Sequence, residues 1–209
     1  MKFIKAEKLK EKPADQSKLG FGKIFTDYML TMKYKDGKWG EPVIEPYGPV
    51  AFDLATTVFH YAQGIFEGLK AFKNDKGEVR VFRPEENFKR MNRSAERMCI
   101  PLIDEKLVLD GLFELLKIEK DWIPTAPGTA LYIRPSIIAT NVQLGVHAAT
   151  EYLFFIILSP VGSYYAHGLE PTRLLVEDYY TRATVGGTGE SKCIANYAVS
   201  LKAGEEAEK

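Results

Sequence analysis

The segment GGTGESK, residues 186–192, ends on a lysine after a run of glycines. Glycines let backbone amides come close to an anion or a flat ligand. Two chemistries use such a segment. A phosphate loop needs a glycine directly before the lysine and Ser or Thr directly after it. Here Ser191 precedes Lys192 and Cys193 follows, so the spacing argues against that loop. The second chemistry is a lysine that forms an imine with a carbonyl. Such a lysine must be held neutral, by partial desolvation or by nearby cations, and a tight loop between two domains suits that need. Read alone, the segment favours a solvated surface lysine, because most lysines are exposed.

Other reactive side chains carry weaker signals. His60, His147 and His167 have no metal spacing, so no metal site is expected. Cys99 and Cys193 match neither a zinc nor a redox pattern. Cys193 adjoins the lysine but reads as a small packed side chain. Arg90, Arg93 and Arg97 lie on one helical stretch, where solvated arginines are the ordinary case.

The elements that must position Lys192 follow from periodicity and turns. Residues 1–20 are polar and lysine-rich, a loosely held leader. Residues 25–34 suit a strand, and KDGKWG (35–40) reads as a turn into a second extended piece. LKAF and VRVF flank NDKG and predict a hairpin over 69–83. Pro84 opens a helix over 84–98, with Phe88, Met91, Ala95 and Met98 on one face. A second helix spans 105–121, with Val108, Leu112, Leu115 and Leu116 as its buried stripe. ALYIRPSIIA (130–139) and EYLFFIIL (151–158) read as strands. Strands and helices cluster separately, which predicts an α+β fold. The first domain covers 1–158, SPVGSYYAHGLEP (159–171) is the interdomain linker, and 172–209 begins a larger domain. There RLLVED (173–178) reads as a strand, and the stretch from Ala195 to the end as one helix. That is too little to bury a core of its own, so we expect the second domain to be truncated.

Lys plus Arg and Asp plus Glu are 28 each, which leaves no bulk charge to seek nucleic acid or an anionic membrane. The longest apolar run, 152–158, is too short to span a bilayer, and the charged opening has no signal-peptide core. With two scattered cysteines, this predicts a cytoplasmic protein.

GGTGESKCIANYA resembles the lysine segment of branched-chain amino acid aminotransferases, which are fold-type IV pyridoxal-phosphate enzymes. FGKIFTDYML (21–30), FHYAQGIFEGLKAF (59–72), VRVFRPEENFKRMNRSAERMCIP (79–101), GTALYIRPSIIAT (128–140) and SPVGSYY (159–165) resemble family segments in the family order. The match covers nearly the whole chain after the leader. It implies a fold-type IV small domain plus the beginning of the larger cofactor domain.

The resemblance also implies roles. Lys192 would hold pyridoxal 5'-phosphate and shuttle the substrate's α-proton as base and acid. Arg90, singled out by its register after FRP, would grip the cofactor phosphate. Tyr197 would bond the cofactor's phenolic oxygen, and Arg182 would lie near the phosphate. Phe21, Tyr61, Phe66, Gly68, Tyr132, Arg134 and Tyr164 would form the substrate pocket. Aromatic rings suit leucine, isoleucine and valine, while Arg134 would meet the side-chain carboxylate of glutamate. A glutamate that pairs with the pyridine nitrogen in the family lies in a segment beyond Lys209, so we expect this chain alone to be incomplete for catalysis. The family implies a homodimer. Two rival readings stay open: another fold-type IV enzyme, such as a D-amino acid aminotransferase or an aminodeoxychorismate lyase, and a non-catalytic folded fragment.

Overall fold

The computed structural model describes residues 1–162, 170–171 and 173–208. Its centre is one mixed sheet. The strands are β1 (Lys2–Phe3), β2 (Tyr28–Lys35), β3 (Lys38–Trp39), β4 (Val43–Pro46), β5 (Gly64–Phe66), β6 (Leu69–Lys73), β7 (Val79–Val81), β8 (Ala130–Ala139) and β9 (Tyr152–Val161). They run in the order β1-β4-β2-β9-β8-β6-β7, with β3 added to β2 and β5 to β8. Among the described residues, only β1 and β4 pair in parallel. The spine is the β8–β9 ladder, which runs in unbroken register from Ala130↔Val161 to Ala139↔Tyr152.

The turns form for local reasons. Between β2 and β3, Asp36 (φ 53°) and Gly37 (φ 77°) both take the left-handed conformation that a tight hairpin requires. In NDKG, the Asn74 side-chain oxygen accepts from the backbone N–H of Lys76 and of Glu78, and Gly77 supplies φ 76°.

Two long helices complete the core, α2 (Pro84–Arg97) and α3 (Glu105–Ile118). Phe88, Met91 and Ala95 of α2 are buried, as are Val108, Leu112, Leu115 and Leu116 of α3. They pack with Leu30, Ile65, Leu131, Ile133 and Phe154 from the sheet. The Asp104 carboxylate accepts from Leu107 N–H and caps α3. Gly111 lets α3 approach β2, because a Cβ there would lie 2.6 Å from Leu30 Cδ1. A short helix, α1 (Thr57–Tyr61), precedes β5.

Four expectations are corrected. The leader is polar and largely exposed, but it is tied down: β1 pairs with β4, Lys10 N–H donates to Asp27 Oδ1 at 2.6 Å, and Gln16 Oε1 accepts from Thr125 N–H and Ala126 N–H. The strand expected to stop at residue 158 continues through Val161, because Ser159, Pro160 and Val161 still face partners on β8. Residues 173–178 form no strand. They pair with no other strand among the described residues, and Leu174 and Val176 are each 88% exposed. The terminal helix is broken into α4 (Ala195–Ala198) and α5 (Leu201–Ala207), where the Ser200 hydroxyl donates to Tyr197 O. Most of the expected linker, its residues 163–169, lies outside the described residues.

One polar cluster sits under the leader. Glu119, just after α3, is buried and accepts the N–H of Tyr28. Beside it Asp27 accepts the Trp122 indole N–H at 2.7 Å. Burial, reinforced by the Asp27 charge, pushes the Glu119 carboxyl up to about 7. The folded chain therefore keeps this proton to a higher pH than the unfolded chain. Stability should fall as pH rises from the ordinary carboxyl range through 7, by about 2–3 kcal/mol from this group. Glu119→Gln keeps an oxygen for Tyr28 N–H and removes the titration. Urea midpoints measured from pH 5 to pH 8 should decline in the wild type and stay flatter in the variant; equal slopes would refute the assignment.

Candidate active site

The lysine segment is stitched onto the edge of β5. Phe66 N–H donates to Lys192 O, and Ile194 N–H donates to Gly64 O, both at 3.0 Å. Ile65 and Cys193 form a β-bridge between them. Gly64 makes this approach possible, since a Cβ there would lie 3.1 Å from Ile194 Cδ1 and 3.0 Å from Ile137 O. Cys193 is fully buried, the packed side chain that was expected of it. The glycine loop closes on itself through Asn196, whose amide donates to Thr188 O at 2.7 Å and Ser191 O at 2.8 Å.

This stitching sets where the amine lies. Lys192 is half-buried, with Nζ 4.5 Å from the centre of the Phe66 ring. Nζ donates to the Tyr197 hydroxyl at 2.5 Å, and the Tyr197 ring packs on Phe66 at 4.8 Å. Lys192, Tyr197, Arg90, Arg182 and the loop at 189–191 line one open cavity of about 370 Å³. A larger groove of about 560 Å³ runs under residues 46–52 and shares no residue with it.

Arg90 reaches the cavity from α2. Its Nε and Nη2 donate to the two oxygens of Glu67, each at 2.6 Å. Glu67 has no exposed surface, whereas the Arg90 side chain is 46% exposed. Glu67 Oε2 also accepts from Asn87 Nδ2 at 2.9 Å and Gly68 N–H at 3.3 Å. The hydrogen bonds to Glu67 hold the guanidinium more firmly protonated than an ordinary arginine.

The residues expected at the substrate pocket form a second group beside Phe66. Arg134 stacks over the Phe66 ring at 4.5 Å, and its Nη2 donates to the Tyr132 hydroxyl at 2.9 Å. Phe21 packs on Tyr132 at 4.9 Å. Gly68 leaves room for this hydroxyl, which a Cβ would meet at 2.2 Å. Tyr61 stands apart: its hydroxyl donates to Leu144 O, and it borders a different cavity with Cys99 and His147. Tyr164 lies outside the described residues.

Three residues with a place in the site were missed from the sequence. Glu67 had a legible signal, a lone acid inside the apolar run GIFEGLKAF, which a buried strand tolerates only with a partner. Ser94 accepts Lys192 N–H at 2.9 Å, and nothing in its sequence surroundings marks it. Arg97, read as a solvated helix arginine, instead donates to the carbonyls of Gly186 and Gly187. Among the described residues, no cluster of His, Cys, Asp or Glu is arranged to hold a metal ion.

The buried carboxylate makes a stability prediction. Arg90→Met leaves the buried Glu67 side chain with only Asn87 and the Gly68 N–H as partners, at a cost of about 2–4 kcal/mol. Adding Glu67→Gln should recover much of that loss. A urea-unfolding double-mutant cycle checks it, and strictly additive losses would refute the coupling.

Searching for a protein-family model gives no match. Relatives are close nonetheless. The chain is 54% identical over 211 residues to branched-chain-amino-acid transaminase 1 of Bacillus subtilis (strain 168), covering 99% of this chain and 59% of that protein. It is 51% identical to a probable branched-chain-amino-acid aminotransferase of Staphylococcus aureus (strain N315), covering 100% of this chain and 58% of that protein. Among solved structures, the branched-chain aminotransferase of Thermoproteus uzoniensis with norvaline matches with a TM-score of 0.66 at 20% identity, covering 86% of this chain and 56% of that one. An aminotransferase from Brucella abortus bound to the cofactor PLP matches with a TM-score of 0.57 at 18% identity, covering 86% and 58%. These structures show the fold, which is that of the fold-type IV aminotransferases. The chain spans about three-fifths of the length of the curated relatives it matches. Over nearly all of its own length, then, this chain is similar to the branched-chain-amino-acid aminotransferases.

Proposed function

We propose that this chain carries the lysine half of the active site of a pyridoxal 5'-phosphate-dependent aminotransferase. The reaction moves the amino group between L-leucine, L-isoleucine or L-valine and 2-oxoglutarate. The observation that carries the reading is the single cavity shared by Lys192, Tyr197, Arg90 and Arg182. Its donor set fits the cofactor: an amine for an aldehyde, a phenol beside the amine, and two guanidinium groups for a phosphate.

When bound, the cofactor supplies the electron sink that makes the substrate's α-carbon acidic. The chain's own residues do the rest. Lys192 Nζ is the group that takes the α-proton and returns it. The Tyr197 hydroxyl, in hydrogen-bond contact with that amine, orients it. Arg90, fixed by Glu67, presents its remaining N–H groups to the phosphate, and Arg182 adds a second positive charge. Phe66 and Phe21 offer apolar surface to a branched side chain. Arg134, braced by Tyr132, meets the carboxylate of glutamate when that is the amino donor. The parts assigned to Tyr61 and Tyr164 rest on the resemblance alone.

On this reading residues 1–161 form the small domain, and residues from about 172 begin the larger one. We also read the protein as a cytoplasmic homodimer. Support for the dimer comes from the exposed apolar residues Leu54, Phe59, Val142, Leu144 and Val146 around α1 and the loop before β9, and the reading as cytoplasmic rests on the sequence alone. No helix among the described residues is long and apolar enough to cross a membrane.

The test is chemical. The chain, and a version extended to the length of its relatives, are incubated with pyridoxal phosphate, reduced with borohydride and mapped by mass. Cofactor mass on Lys192 alone is expected in the extended protein, and Lys192→Ala should abolish it. Scattered labelling over many lysines in both forms would overturn the reading. Assays with L-leucine, D-alanine and aminodeoxychorismate separate the fold-type IV activities, and turnover of L-leucine is expected.

A further inference from the structure

Arg90, Ser94 and Arg97 fall at spacings of four and three along α2, so they form one row on one face of the helix. Each touches a different part of the site. Arg90 faces the cavity beside Lys192. Ser94, 2% exposed, accepts the backbone N–H of Lys192 at 2.9 Å. Arg97 donates through Nη2 to Gly186 O at 3.1 Å and Gly187 O at 3.2 Å. A single helix therefore carries the arginine and two anchors of the loop that bears the lysine.

The bonds to β5 have a different effect. They hold residues 192–194 against the strand edge but do not touch the glycine turn ahead of the lysine. That turn is tied to the first part of the chain by Arg97, in a bond pair spanning about ninety residues. Arg97 is exposed, and water can satisfy the same carbonyls, so its bonds add little to global stability. Their consequence is geometric.

We propose that Ser94 and Arg97 are positioning residues that set Lys192 Nζ at a fixed offset from Arg90. This rests on the reading of Lys192 and Arg90 as the two ends that hold the cofactor. A ligand bound through its phosphate at Arg90 meets the amine only if that offset is kept. Displacements of an ångström at such a site cost large factors in rate.

The experiment compares Arg97→Ala, Arg97→Lys, Ser94→Ala and Ser94→Thr with the wild type, each at the length of the relatives. Two quantities are read: the rate at which borohydride-trapped pyridoxal phosphate accumulates on Lys192, and the affinity for pyridoxamine 5'-phosphate. The second ligand keeps the phosphate but has no aldehyde to react with the lysine. Arg97→Ala and Ser94→Ala should slow labelling about tenfold, while pyridoxamine phosphate affinity stays within about twofold. Arg97→Lys retains a donor and Ser94→Thr retains the hydroxyl, so both should restore most of the labelling rate. Wild-type labelling in every variant would overturn the proposal, and so would an equal loss of both ligands. Absence of Lys192 labelling in the wild type would sink the proposed function, and this inference with it.

Discussion

Glu67 is a carboxylate with no access to water, and the site is arranged around keeping it paired. An isolated charge in that position would be costly to bury, so the guanidinium of Arg90, the Asn87 amide and the Gly68 N–H all turn toward it. Their convergence has structural consequences on both sides. Phe66, the preceding residue, has its N–H on Lys192 O and its ring under the amine. Gly68, the following residue, leaves the space that the Tyr132 hydroxyl occupies. One buried charge thus fixes three consecutive residues, and each of these addresses a different group of the site.

The second constraint is the close approach of chain segments distant in sequence. Lys192 is brought to Phe66 and Ser94 by hydrogen bonds of its own backbone, next to the buried Cys193. This leaves the amine half-buried and reachable while its main chain is held on both sides. A reactive side chain needs that combination: a rigid backbone to define its direction, and an open face to admit a ligand.

The fold was legible where local chemistry dominates. NDKG, KDGKWG, the Pro84 helix start and the apolar stripe of α3 each contain their own reasons, and each formed where periodicity and turn residues put it. Legibility failed where the partner decides. RLLVED has the composition of a strand, but a strand requires a neighbouring ladder and none of the described residues provides one. The leader is polar, yet Lys10 and Gln16 find backbone and carboxylate partners far along the chain. In the site, Lys192, Tyr197, Arg90 and Arg182 could be named from motif register and do line one cavity. Ser94 and Arg97 could not, because their roles are visible only once the glycine loop lies against α2.

The ladder partners of the nine strands lie between Lys2 and Val161. A nascent chain can therefore close its sheet and seat α2 and α3 before residue 186 has been synthesised. Glu67 and Arg90 can pair at that stage, before the lysine amine is in place. The lysine segment then docks on an already formed edge at β5, by few contacts of long sequence separation. Such contacts are entropically late in folding. The position of the Lys192 amine is thus acquired last, when the surface beside it has already set.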